Sequence, residues 1–220
     1  MSDPHPKFEA VAFDLDGLMF DTEALFFRVA GEMLRDRGKT FSPDIMAAMI
    51  GRQSPVAGLA FKTMAGLGES VEELMAEARD RFRALMDEAV HPTPGLYALI
   101  AHLKHVGMPR CVATSSRREY AEGLLAKHGL LAEFAFVATA EDVARSKPDP
   151  EIYRLAASRL GVDVGALLVL EDSPAGVSAG KAAGAFVVAI PHEQSPGESL
   201  AEADRRVSRL DDPGLMALLK

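Results

Sequence analysis

The sequence predicts an α/β fold, a doubly wound parallel sheet with a Rossmann-like core and an inserted all-helical cap domain. Three observations predict it. Short apolar runs recur, and the first ends abruptly in acidic residues. Helical stretches of about ten residues separate most of the later runs, which is the pattern of βαβ units. Between the first run and the second lie about 70 residues that read as helix, far more chain than one crossover needs.

The first run, Glu9 to Phe13, stops at Asp14-Leu-Asp16-Gly17, as a buried strand does when it reaches a polar turn. The insert follows. Ser70-Val-Glu-Glu73 has the form of a capping box, and Leu74, Ala78, Phe82, Leu85 and Ala89 then recur at helical spacing. Gly51 and the Gly66-Leu-Gly68 pair separate helices, and His91-Pro-Thr-Pro-Gly95 reads as the return linker. The expected division is 1–21 with 91–220 for the core and 22–90 for the cap. Further strands are expected at Arg110–Ala113, Phe134–Val137, Ala166–Leu170 and Ala185–Ile190. Helices are expected at Glu119–His128, Pro150–Leu160 and Ala175–Ala183.

Composition narrows the class. The chain has 220 residues, 48% hydrophobic and 25% charged, which are globular values. A formal net charge of −8 argues against a nucleic-acid partner. Cys111 stands alone, so no internal disulfide forms, and a reducing compartment fits. No apolar run approaches the roughly 18 residues of a membrane span, and Met1–Lys7 holds no apolar signal core. The expectation is a cytoplasmic protein, monomeric or weakly dimeric, with no membrane partner.

Four polar clusters carry chemistry. Asp14 and Asp16 follow the first strand, and alternation on an extended backbone sends both to one side. Paired carboxylates repel unless a cation or proton neutralises them, and hard oxygen ligands suit Mg²⁺. Thr114-Ser115-Ser116 offers hydroxyls and amides before a helix, which taken alone reads first as an ordinary helix cap and only second as an anion site. Lys147-Pro-Asp-Pro-Glu151 puts a lysine at a stiffened loop, where it is either a point charge for a phosphate or a solvated side chain. Glu171-Asp172-Ser173 follows the most apolar run, as a second cation site or as helix-capping acids. Ligands of open α/β sheets bind at the carboxyl ends of the strands, and all four clusters lie at that edge or in a loop behind it.

As a set, Asp14-x-Asp16-Gly17-x-x-x-Asp21-Thr22, the Thr114 cluster, Lys147-Pro-Asp-Pro-Glu and Glu171-Asp172-Ser173 resemble the four motifs of the haloacid dehalogenase-like superfamily. The branch is the one of phosphatases and β-phosphoglucomutases with a small helical cap, and the match runs from Asp14 to about Gly184. The resemblance implies an aspartyl-phosphate formed on Asp14, with Asp16 as general acid and then base. It implies Mg²⁺ held by the Asp14 and Asp172 carboxylates and the Asp16 backbone carbonyl, with Glu171 behind them. Thr114, Ser115 and Ser116 would hold the phosphoryl oxygens, and Lys147 would neutralise charge beside Asp14. Gly51-Arg52-Gln53-Ser54 falls where this branch has a specificity loop, so Arg52 is a candidate contact for the rest of the substrate, or a surface arginine after a helix-ending glycine.

The expected activity is Mg²⁺-dependent hydrolysis of a small phosphomonoester of the sugar-phosphate or phosphoglycolate type. The alternative is a hexose-phosphate mutase, against which two departures count. The mutase loop resembles Gly-x-Ser-Arg, whereas here Ser54 stands at the arginine position, and Phe26 stands where the mutase has histidine. A phosphoacceptor signalling module also places acids, a hydroxyl and a lysine at a sheet edge. Such modules are shorter and have no helical insert. The six histidines offer no zinc framework, since His102 and His105 lie one helical turn apart without a cysteine or acid to complete a site.

Overall fold

A computed structural model describes residues 7–49, 54–191 and 200–220. It forms two compact units, Met1–Phe20 with Pro92–Lys220, and Asp21–His91.

The first unit is built on one parallel sheet. Strands β1 (Ala10–Phe13), β2 (Arg110–Ala113), β3 (Val137–Ala138), β4 (Leu167–Glu171), β5 (Phe186–Ala189) and β6 (Arg205–Arg206) lie in the order β3-β2-β1-β4-β5-β6. That order reverses direction beside β1, the place where open α/β sheets bind ligands. The register sets Phe13 beside Val112 on one side and beside Leu170 on the other. Every residue of β1 and β4 is buried, as both faces of a parallel sheet must be. Ala10, Ala12, Cys111, Ala113, Val169 and Val187 share a core cluster with Tyr153 and Ala156 of α7 (Glu151–Leu160) and with Val177 and Ala179 of α8 (Pro174–Ala183). Small side chains on those strands let the helices approach closely. At Gly180 of α8 an added Cβ would lie 2.6 Å from Val187 Cγ2. Burial pushes the Cys111 thiol up to about 12, which makes it an unreactive core residue.

Two expectations about the sheet are corrected. The run Phe134–Val137 is strand only at Val137–Ala138. A single helical turn at Leu131–Glu133 precedes it, and the Phe134 ring packs edge-on against Phe13, 5.5 Å between centroids. Strand β6 was not expected, because Arg205 and Arg206 are exposed and carry no apolar signal. Helices α5 (Leu96–His105), α6 (Arg118–Lys127) and α9 (Pro213–Leu218) complete the unit.

The second unit holds α1 (Glu23–Asp36), α2 (Pro43–Met49), α3 (Ser54–Ala65) and α4 (Val71–Ala89). Its capping box is formed. Ser70 Oγ accepts from the Glu73 amide at 3.1 Å, and Glu73 Oε2 accepts from the Ser70 amide at 2.8 Å. Arg37 at the end of α1 reaches Glu69 and Glu77, tying α1 to α4. Met64 of α3 is 48% exposed. Among the described residues no helix is long and apolar enough to cross a membrane.

Candidate active site

Three of the four clusters begin within one residue of a strand end. Asp14 directly follows β1, and its amide still donates to Leu170 O of β4 at 3.0 Å. The chain then turns at Gly17, whose φ is +85°. A Cβ there would lie 2.0 Å from Asp172 Oδ2, so only glycine lets this loop pass the acid that follows β4.

Lys147 ties the strand ends together. Its ammonium donates to Asp14 Oδ1 at 2.5 Å, to Glu171 Oε1 at 2.7 Å and to Ala113 O at 2.9 Å. The ammonium has three protons, and these contacts use all of them. It also lies 4.9 Å from the centre of the Tyr153 ring. The Lys147 residue is only 5% exposed and Asp14 only 8%.

Glu171 is wholly buried and fully engaged. Its Oε1 accepts from Lys147 and from the Tyr153 hydroxyl at 2.6 Å. Its Oε2 accepts from the Asp172 amide, the Ser173 amide and the Ser173 hydroxyl. Ser173 is the N-cap of α8, and Pro174 occupies the first turn. Gly176 makes room for this arrangement, since a Cβ there would fall 1.7 Å from Glu171 Oε1.

Asp14, Glu171 and Asp172 each offer a carboxylate oxygen, and the three atoms lie within 4.8 Å of one another. Lys147 bonds two of these acids, and full ionisation of all three would put more negative than positive charge on that group in a buried place. Burial pushes the Asp14 carboxyl up to about 8; Lys147 pulls it back down, and Glu171 adds to the rise. Burial also works against the charge on Lys147, but Asp14 and Glu171 outweigh it and hold the lysine above its ordinary value. A divalent cation with oxygen ligands answers the excess. The Glu171 oxygens already accept five hydrogen bonds, so Asp14 and Asp172 could hold a cation more readily, while Glu171 holds the lysine.

Asp16 lies apart from this cluster of acids. Its Oδ2 accepts from Ser116 Oγ at 2.6 Å, and its Oδ1 accepts from the Tyr120 hydroxyl at 2.7 Å. Thr114 is buried at the end of β2, its amide donating to Ala138 O and its hydroxyl accepting from the Ser116 amide. Ser115 is exposed at the same strand end. Asp14, Asp16, Thr114, Ser115, Ser116, Lys147, Glu171 and Asp172 therefore all belong to the first unit. Arg52, the candidate substrate contact, lies outside the described residues.

Two contributors escaped the sequence reading, Tyr120 on α6 and Tyr153 on α7. Tyr153 sits where helical spacing predicts core, and it is core. Only its hydroxyl, aimed at Glu171, ties it to the acids. Burial raises both phenols above the ordinary tyrosine value, with the accepting carboxylates Asp16 and Glu171 adding to the rise.

The model of the family described as haloacid dehalogenase-like hydrolase matches residues 11–190. The chain belongs to that family. It falls in the phosphatase and phosphomutase branch, as a phosphoric monoester hydrolase. It is 35% identical over 198 residues to validoxylamine A 7'-phosphate phosphatase of Streptomyces hygroscopicus subsp. limoneus, covering 90% of this chain and 92% of that one. It is 29% identical to the phosphorylated carbohydrates phosphatase of Thermotoga maritima, covering 89% and 91%. Its fold matches the crystal structure of CbbY from Rhodobacter sphaeroides in complex with phosphate with a TM-score of 0.75. The two are 28% identical, over 96% of this chain and 99% of that one.

Proposed function

We propose that this hydrolase is a Mg²⁺-dependent phosphatase acting on small, hydroxyl-bearing phosphomonoesters of the sugar-phosphate or phosphoglycolate type, through an aspartyl-phosphate on Asp14. The observation that carries the reading is the buried Asp14–Lys147–Glu171 chain with Asp172 beside it. Phosphoryl transfer asks the protein for positioning and for charge stabilisation, and this cluster offers both.

Asp14 attacks phosphorus while the bond to the leaving oxygen breaks, and Asp16 gives that oxygen its proton. Asp16 then takes a proton from water, the water oxygen attacks phosphorus, and the acyl-phosphate bond breaks. Inorganic phosphate leaves and Asp14 is regenerated. Lys147 sits against Asp14 and offsets charge as the anionic phosphate approaches. Thr114 and the amides after it are the donors proposed for the phosphoryl oxygens. Asp14, Asp172 and the Asp16 carbonyl would hold the magnesium ion, which would supply positive charge for an anion approaching three carboxylates. The names of the two phosphatase relatives support a hydroxylated phosphate ester as substrate.

The test is a panel of phosphomonoesters assayed for phosphate release with Mg²⁺ and with EDTA. Release from sugar phosphates that EDTA abolishes is expected. The panel includes β-glucose 1-phosphate with a trace of the bisphosphate primer. If glucose 6-phosphate appears much faster than inorganic phosphate, the enzyme is a mutase and the hydrolytic reading is wrong.

A further inference from the structure

Asp16 has a harder task than Asp14. In the proposed reaction it begins as an acid, ends as a base, and must point at the reacting oxygen in both states. A misplacement of about 1 Å in such a group costs up to ~10²-fold in rate. Its two carboxylate oxygens are each held by a hydroxyl, Ser116 Oγ at 2.6 Å and the Tyr120 hydroxyl at 2.7 Å. Ser116 comes from the loop after β2, whereas Tyr120 comes from the first turn of α6. The carboxylate is thus gripped from two directions, which fixes its plane as well as its place.

Hydroxyls suit this task in a way that amides or ammonium groups do not. A hydroxyl both donates and accepts, and its proton can turn without its oxygen moving. When Asp16 is ionised, both hydroxyls donate to it. When Asp16 carries a proton, one of them can accept it and the other can still donate. The grip survives the change of state. Serine and tyrosine differ in one respect. Ser116 is short and belongs to the cluster proposed to meet the phosphate, so a bound substrate competes for its hydroxyl. Tyr120 carries its hydroxyl on a rigid ring from a helix, outside the four motifs.

We propose that Tyr120 is a positioning residue that aims the Asp16 carboxylate through both halves of the reaction. The proposal rests on the reading of Asp16 as general acid and base, and its test separates the two. Two substrates are compared by kcat/KM, p-nitrophenyl phosphate and glycerol 3-phosphate. The first has a leaving group that needs little protonation, and the second needs it fully. Because kcat/KM covers the steps up to departure of the leaving group, it reports the acid role even when breakdown of the phosphoenzyme limits turnover.

Tyr120→Phe should lower kcat/KM for glycerol 3-phosphate about tenfold and for p-nitrophenyl phosphate about twofold or less. In an Asp16→Asn background, Tyr120→Phe should cost nothing further, because it acts only through Asp16. A tyrosine that merely supported the fold would lower both substrates by one factor and would multiply with Asp16→Asn. Circular dichroism and thermal unfolding check that each variant is folded. If Asp16→Asn itself lowers both substrates equally, the acid reading of Asp16 fails. If Asp16→Asn discriminates while Tyr120→Phe loses both equally, loses neither, or multiplies with Asp16→Asn, the Tyr120 proposal is overturned and the Asp16 reading stands.

Discussion

Asp14 and Asp16 stand two residues apart in one loop, yet their surroundings differ in kind. Asp14 is buried against an ammonium that can only donate, and Lys147 is itself locked by Glu171 and Ala113 O. Asp16 is partly exposed and held by two hydroxyls that can donate or accept. The first environment suits a group that attacks once a lysine and a cation hold its ionised form against the cost of burial. The second suits a group that must lose and regain a proton. Two identical side chains thus receive different chemistry from what packs around them.

The largest effect expected from breaking this contrast is at Asp14. Asp14→Ala removes the proposed attacking oxygen and a metal ligand together, so phosphate release should fall to background in a protein that still folds. Asp16→Asn keeps the backbone carbonyl and removes only proton transfer, so the loss should be about 10²–10⁴-fold on an alkyl phosphate. On p-nitrophenyl phosphate it should be clearly smaller in kcat/KM. Equal losses on the two esters would count against the contrast.

A smaller effect sharpens it from the Asp14 side. Tyr153 hydrogen-bonds Glu171, which fixes Lys147, which meets Asp14. Tyr153→Phe leaves the ring but removes a buried hydroxyl donor, a change worth about 1–3 kcal/mol where the acceptor is charged. Activity should fall several-fold by the same factor on both esters, since this network does not touch Asp16. A loss confined to the poorer leaving group would show that the two sides are not separate.

The smallest effect concerns pH. Burial pushes the Asp14 carboxyl of the metal-free protein up to about 8, with Lys147 pulling it down. The proposed magnesium ion would bind the ionised form, so its binding should release a proton and Mg²⁺ affinity should rise as pH rises towards that value. Titration calorimetry of the metal-free protein at several pH values checks this. An affinity independent of pH would mean that Asp14 is already ionised before the metal arrives.

Much of this was readable in the residues, and the reason differs by element. Buried parallel strands declare themselves as apolar runs, so β1, β2 and β4 stood out as the runs Glu9–Phe13, Arg110–Ala113 and Ala166–Leu170, with the acids or hydroxyls that follow them. The capping box at Ser70 was legible because its two polar residues occur at a fixed spacing. Strand β6 was not, because two exposed arginines at a sheet edge have no pattern of their own. Nor was the run Phe134–Val137 read correctly, since Phe134 is buried by a tertiary contact with Phe13 rather than by sheet pairing. Tyr120 and Tyr153 were hidden for a third reason. Each lies on a helix, where a tyrosine reads as ordinary packing, and what distinguishes them is the acceptor met by one hydroxyl across the fold. That acceptor is 104 residues away for Tyr120 and 18 for Tyr153.

The central claim is that Asp14 takes the phosphoryl group. The most direct measurement is acid quenching of the enzyme during turnover of p-nitrophenyl phosphate with Mg²⁺, followed by borohydride trapping and peptide mapping by mass spectrometry. The Asp16→Asn variant, in which breakdown of the phosphoenzyme lacks its base, should give a burst of about one p-nitrophenol per active site and a trapped adduct at Asp14. Steady phosphate release by a folded Asp14→Ala protein, or an adduct mapped to another residue, would contradict the account.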